Sequence, residues 1–405
     1  MKYDFTTIMD RHGKDALAVD GLGLNPGSAP DAPQEGFDAI PMWVADMNFP
    51  TVPTITDAII KRAQHPAFGY FSPTEEYYHA IMEWQQKQNH VTGLTQENIG
   101  YENGVLGGVL SALSVIAHPG DKILVHSPTY IGFTKALSSA GYAIVHSPLL
   151  FENGTWHMDY ADMKKKITEN HIHATIFCSP HNPCGRVWKK DEIEKAMQIF
   201  EENEVNIISD EIWSDLLING NQHIPTQSVN EYAHDHTVAF YAPSKTFNLA
   251  GLVGSYHIIY NKALNDRVVG NGKKTHYNSM NVLSMHALIG AYQPEGHEWL
   301  EELKEVLSKN VNYAYDYIQE HFQGVSLARA EGTYMLFLDC TDWCKTHHKT
   351  IEELEKAAWN VGVTWQDGKM FHGPYSVRIN LAVPYSRVVE AFDRLDKYVF
   401  NAADK

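Results

Sequence analysis

Cysteine is scarce in this chain. Cys178, Cys184, Cys340 and Cys344 are the only four in 405 residues, and no paired C-x-x-C spacing joins them into a zinc pattern. No disulfide framework is expected, and a reducing cytoplasm suits such a composition. Basic charge is also short. Lys and Arg number 32 against 49 Asp and Glu, a formal net charge of −17 that repels phosphate backbones and anionic lipid surfaces. Nucleic acid is therefore not an expected partner, although a few local cations can still bind an anionic substrate. No apolar run is long enough to span a membrane: the longest, Gly104 to Ala117, falls short of the roughly 20 residues required and reads as a buried helix. The opening MKYDFTTIMDRHGKD has acids where a signal peptide has an apolar stretch, so export is not expected. The 22 histidines include no H-E-x-x-H or other helical ligand spacing, and no metal site is expected.

What is present is an ordinary globular composition, 44% hydrophobic and 20% charged, in a chain too long for one core. Residues 21–53 are rich in Gly and Pro and should form an extended arm. Helical periodicity follows from Thr54 to near Asn89, broken at Pro66 and Pro73 around the loop HPAFGYFSP. From Lys122 short β-branched runs alternate with helical stretches, the pattern of a mainly parallel α/β sheet whose site lies at the carboxyl ends of the strands. Beyond about residue 290 come a long charged helix, the strand TYMLFLDC, a helix near Ile351 to Val361 and SVRINLAV, a smaller α+β unit. The expected division is an arm over 1–53 contributing to the small domain, a large domain over 54–290 and a small domain over 291–405.

Three strands end in polar or reactive groups: ATIFCSPHNPCG at Asn182, VNIISDEIW at Asp210 and TVAFYAPSK at Lys245. A sheet gathers them. The carboxylate and the lysine then form either a structural ion pair or two handles on one cofactor. A glycine-rich turn in YENGVLGGVLSALS stands before an apolar helix, where free amides and the positive helix end can hold an anion. The other reading of that turn is a tight helix entry that lets Gly107 and Gly108 pack closely.

Taken in order, ENGVLGGV, SPTY, SPHNPCG, ISDEI, APSKTFNLAGL and SVRINLAVP resemble the fold type I pyridoxal-phosphate (PLP) enzymes of the aminotransferase class I/II superfamily. With PMWVADMNFPTVP, DEIWSDL and SKTFNLAGL, the chain looks most like the MalY/PatB branch of cystathionine β-lyases and related C-S lyases. The resemblance runs from about residue 40 to residue 390. It implies a mainly parallel, seven-stranded type of sheet in the large domain and PLP as cofactor. It also implies that Lys245 carries PLP covalently and, once released, shuttles the substrate Cα proton, and that Asp210 protonates the cofactor ring. Asn182 would bond the 3-oxygen and Tyr130 would stack on the ring. The backbone around Val105 and Leu106, with Ser244, would hold the phosphate, Ser244 having a helix cap as its other reading. Tyr70 would reach the phosphate of a neighbouring subunit, which makes a homodimer the expected unit. Arg378 would bind the substrate carboxylate through its planar fork. Trp43 and the arm around Val44 and Ala45 are expected along the same cleft, with a core tryptophan as the other reading.

Two departures stand out. Ala242 occupies the position three before the lysine where many relatives have serine, and TFNLAGLVGS lacks the arginine that aminotransferases often place at the phosphate. Trp213 stands three residues after Asp210, where aminotransferases often have tyrosine and MalY-type enzymes histidine; it donates but neither accepts nor titrates. The reaction implied is α,β-elimination of an L-cysteine thioether to thiol, pyruvate and ammonia. Transamination is the alternative, and a PLP-binding regulatory protein a more distant one.

Overall fold

In a computed structural model that describes residues 1–24 and 27–401, the alternating segments pair as the pattern requires. Residues 25 and 26 of the arm and the tail 402–405 lie outside the described residues. Seven strands form one sheet: β1 (Ile99–Asn103), β2 (Lys122–Ser127), β3 (Ala143–Pro148), β4 (Ala174–Cys178), β5 (Asn206–Asp210), β6 (Thr237–Tyr241) and β7 (Gly254–Ile258). Their spatial order is β1-β7-β6-β5-β4-β2-β3. The neighbours from β6 to β3 are parallel, and β7 runs antiparallel to both β1 and β6. The middle strands β4, β5 and β6 are buried almost throughout, as expected where helices cover both faces.

Parallel strands all end at one edge, so β4, β5 and β6 deliver Cys178, Asp210 and Tyr241 to the same rim. The register sets Asp210 opposite both Cys178 and Phe240. The helix Val105–Ile116 packs on this sheet through Val105, Val109, Ala112 and Leu113, the i, i+4, i+7, i+8 face of its apolar run. Its N-cap is Gly104 at φ 82, a backbone angle that other residues adopt only with strain.

The helical stretch after the arm divides at its prolines into Pro53–Ala63 and Glu75–Asn89; Thr74 caps the second by accepting from the Tyr77 N–H at 3.3 Å. The helix that follows β4 runs from Lys190 to Glu202. It stops there because Glu204 turns to φ 52 and Val205 donates back to the Phe200 carbonyl at 2.9 Å.

A second sheet of four strands comprises β8 (Ser326–Leu327), β9 (Met335–Asp339), β10 (Gln366–Asp367) and β11 (Ser376–Asn380), in the order β8-β9-β11-β10. The helix Pro294–His321 leads into it, burying Leu300, Leu303, Leu307, Val311, Ala314 and Ile318 at helical spacing. Each of the Leu, Val and Ile side chains among them contributes about 1.5–3 kcal/mol. Among the described residues before Pro53, regular structure is confined to the short helix Leu17–Asp20 and to Ile40–Pro41, which pairs in parallel with Val363–Thr364.

Candidate active site

Asn182, Asp210 and Lys245 meet at the carboxyl rim of the large sheet, around a cavity of about 250 Å³ that Ala45, Val105, Leu106, Tyr130, Trp213 and Ser244 also line. A larger, open hollow of about 950 Å³ among residues 89–93 and 222–235 touches none of these strand-end groups. The smaller cavity holds the candidate residues.

Lys245 and Asp210 do not form the ion pair that was one reading of them. Among the described residues Lys245 donates instead to the Ala45 carbonyl at 2.9 Å, and Asp210 accepts the Ile212 N–H at 3.1 Å. Each senses the other through the cavity. Burial and the Arg378 guanidinium bring the lysine amine down from 10.5 to about 8, against the pull of the Asp46 and Asp210 carboxylates. Burial raises the Asp210 carboxyl from 3.8 to about 7, opposed by the Ile212 N–H and the Lys245 charge and aided by neighbouring Glu211. The result is an amine easily made neutral facing a carboxyl with a high proton affinity.

The close-packing reading of the glycine-rich turn holds. A Cβ on Gly107 would come within 2.3 Å of the Tyr277 hydroxyl, and one on Gly108 within 2.5 Å of Phe240, so the helix enters by close packing. Val105, Leu106 and Gly107 line the cavity as the first residues of the helix, and their amides have no intrahelical acceptor. Ser244 lies in the short helix Pro243–Thr246, whose N-cap is Ala242; the serine is buried on the cavity wall and is not the cap.

Arg378 is 4% exposed on β11, between β9 and β10. Its Nη1 donates to Asn182 Oδ1 at 3.2 Å, its Nη2 to the Trp43 carbonyl at 2.9 Å, and its guanidinium lies 4.5 Å from the centre of the Phe371 ring. Nε meets no acceptor among the described residues.

Trp43 and Val44 differ from expectation. The Trp43 indole turns away to donate to the Ala18 carbonyl at 3.0 Å, and the Val44 carbonyl accepts from Asn380 at 2.7 Å, so of the three arm residues only Ala45 lines the cavity. The arm serves the site with its backbone because its carbonyls are the acceptors nearest the buried cations. Trp213 is buried on the wall with its ring edge-on to Tyr334 at 4.8 Å and Lys245 Nζ 5.6 Å from its centre; its indole N–H meets no acceptor among the described residues. Tyr70 is fully exposed in the loop before Glu75 and takes no part in this chain's own cavity.

Motif reading passed over Asn380, Arg11 and Phe371. Asn380 had a signal available: it stands two residues after Arg378 on one strand, and the two-residue period puts both side chains on the same sheet face. Arg11 and Phe371 reach the site only through distant contacts, with no local pattern to mark them.

The model of the aminotransferase class I and II family matches residues 39–395. Cystathionine beta-lyase PatB of Bacillus subtilis (strain 168) is 33% identical over 302 residues, 75% of this chain and 78% of that protein. Protein MalY of Escherichia coli (strain K12) is 29% identical over 392 residues, 95% of this chain and 96% of that protein. The PLP-bound C-S lyase from Staphylococcus hominis superposes with a TM-score of 0.86 at 30% identity, over 97% of this chain and 98% of that one.

Proposed function

The chain belongs to the PLP-dependent aminotransferase class I and II family, and within it we propose a carbon–sulfur lyase that, with one water, splits L-cysteine thioethers into thiol, pyruvate and ammonia. The observation that carries the reading is the cavity in which Lys245 and Asp210 face one another without touching, beside an anion cradle and a buried arginine. The choice of lyase rests on the activities named for the relatives.

The residues present fit PLP. A carboxyl held near 7 by burial gains from a protonated ring nitrogen beside it, and an amine held near 8 suits attachment to an aldehyde. Unpaired amides at the start of an apolar helix suit a phosphate. When bound, PLP supplies an electron sink for the pair left at the substrate Cα.

The chain's own residues do the rest. Arg378 grips the α-carboxylate, its orphaned Nε and its planar fork leaving donors for two oxygens. Lys245 would carry PLP and serve as the acceptor of the Cα proton, and Asp210 would be the partner of the ring nitrogen. Asn182, its Oδ1 already on Arg378, would offer its amide hydrogens to the 3-oxygen, and Tyr130, on the cavity wall, would pack against the ring. The Val105 and Leu106 amides and the Ser244 hydroxyl would hold the phosphate, with the Trp213 N–H as a further donor on the wall. The exposed Tyr70 completes the phosphate grip of a second copy, making a homodimer the active unit.

The arm 1–53 works with a small domain over 291–405, as the pairing of Ile40–Pro41 with Val363–Thr364 supports, against a large domain over 54–290. Four buried, unpaired cysteines among the described residues suit the cytoplasm, and no described helix is long and apolar enough to cross a membrane. Incubation with L-cystathionine tests the reaction: pyruvate and homocysteine are expected without any added keto acid. Turnover strictly dependent on a keto acid would make the protein an aminotransferase instead.

A further inference from the structure

Four consecutive carbonyls of the arm, at residues 43 to 46, are all engaged by side chains of the site. Trp43 O accepts from Arg378 at 2.9 Å and Ala45 O from Lys245 at 2.9 Å. The alternate pair, Val44 O and Asp46 O, accept the two hydrogens of a single carboxamide, Asn380 Nδ2, at 2.7 and 2.6 Å. Asn380 Oδ1 accepts the Ala382 N–H at 2.8 Å, which settles the orientation of the amide. Its backbone N–H donates to the Met42 carbonyl at 2.8 Å, so one asparagine grips the strap at three points.

The charge on the strap is held as well. Arg11 forks onto Asp46, Nη1 to Oδ1 at 3.2 Å and Nη2 to Oδ2 at 2.6 Å, and reaches Asn48 Oδ1 at 2.9 Å. Asp46 and Asp210 are the carboxylates that favour the charged form of Lys245, while Arg378 opposes it.

We propose that Asn380 and Arg11 are positioning residues of the active site: Asn380 aims the Trp43 and Ala45 carbonyls at Arg378 and Lys245, and Arg11 withholds the charge of Asp46 from the lysine. Neither touches the reacting atoms. The inference rests on the roles given above to Lys245 and Arg378. The strap is a template: with 44 and 46 tied to Asn380, the carbonyls of 43 and 45 have fixed directions and hold each cation at its own acceptor. Loss of Arg11 leaves an uncompensated carboxylate near the lysine, which favours the protonated amine; loss of Asp46 acts oppositely.

The test uses the PLP-loaded protein and two readouts besides turnover: the pH midpoint of the visible cofactor absorbance, and spectral titration with L-alanine, which lacks a leaving group. Arg11→Gln is expected to raise the midpoint, Asp46→Asn to lower it, and the double variant to return close to wild type. Asn380→Leu is expected to weaken L-alanine about tenfold with PLP still bound. A purely structural role predicts no opposite-signed shifts. Equal midpoints in wild type, Arg11→Gln and Asp46→Asn, or undiminished L-alanine affinity in a folded Asn380→Leu, overturn the proposal. Should Asn380→Leu not fold, the Arg11 and Asp46 variants decide alone. A wild-type protein without any visible band in the presence of PLP defeats the functional reading instead.

Discussion

Arg378 and Asn182, 196 residues apart in sequence, meet side chain to side chain, Nη1 donating to Oδ1 at 3.2 Å. That contact joins β11 of the small sheet to the loop after β4 of the large one. It also fixes the asparagine: with Oδ1 committed to the guanidinium, the amide hydrogens are the end left for the cavity.

Replacing Arg378 by lysine keeps the charge but loses the fork. A charge-assisted hydrogen bond is worth roughly 1.5–3 kcal/mol, so the KM for cystathionine should rise about tenfold to a hundredfold in Arg378→Lys. Steady-state kinetics beside an unchanged cofactor spectrum check this. An unaltered KM removes Arg378 from the substrate.

Lys245→Ala should abolish the visible absorbance that PLP acquires on the wild-type protein and cut turnover by at least about 100-fold, the smaller value for loss of a positioned proton acceptor. Absorbance before and after gel filtration, with pyruvate detection, reads both. A variant that keeps the wild-type spectrum has its lysine assigned wrongly.

The same lysine predicts a pH dependence. Held down to about 8, the amine gains its neutral form as pH rises, so proton abstraction should increase from pH 6, pass its midpoint at about 8 and level roughly one unit above. A pH–rate profile checks it; a rate that is flat over this range speaks against Lys245 as the base.

Asp210 carries a cost in the cofactor-free protein. Its carboxyl, raised in the fold from 3.8 to about 7, contributes fully below pH about 4 and loses that contribution as pH rises through about 7. Asp210→Asn escapes the loss. The melting temperature of the cofactor-free variant should therefore gain on wild type between pH 4 and 7, by a few kcal/mol in stability at about 1.4 kcal/mol per pKa unit. Melting curves across that range decide, and a gain that shrinks as pH rises contradicts the assigned burial. With PLP the same variant should lose most of its turnover, since the ring nitrogen loses its partner.

Tyr70, exposed on this chain, is expected to act in a second one. Tyr70→Ala and Lys245→Ala should each be nearly inactive alone. Mixed and reassociated, they should regain up to about a quarter of wild-type activity, because half the dimers are hybrids and each hybrid holds one site with both residues intact. No recovery in dimers shown to have exchanged places Tyr70 outside the neighbour's site.

Local patterns in the sequence determined the alternation that became the seven-stranded sheet, the prolines that split the first helical stretch, and the strand ends at which Asn182, Asp210 and Lys245 stand. These follow from periodicity and turn chemistry, which act over a few residues. The tertiary structure alone decided that Lys245 binds the Ala45 carbonyl instead of Asp210, that Arg378 is buried between two strands, that Trp43 turns its indole to Ala18, and that Asn380 and Arg11 grip the arm. Those contacts join residues as far as 336 positions apart. Buried polar groups must find partners wherever the fold brings them, and no short segment encodes which carbonyl will be nearest.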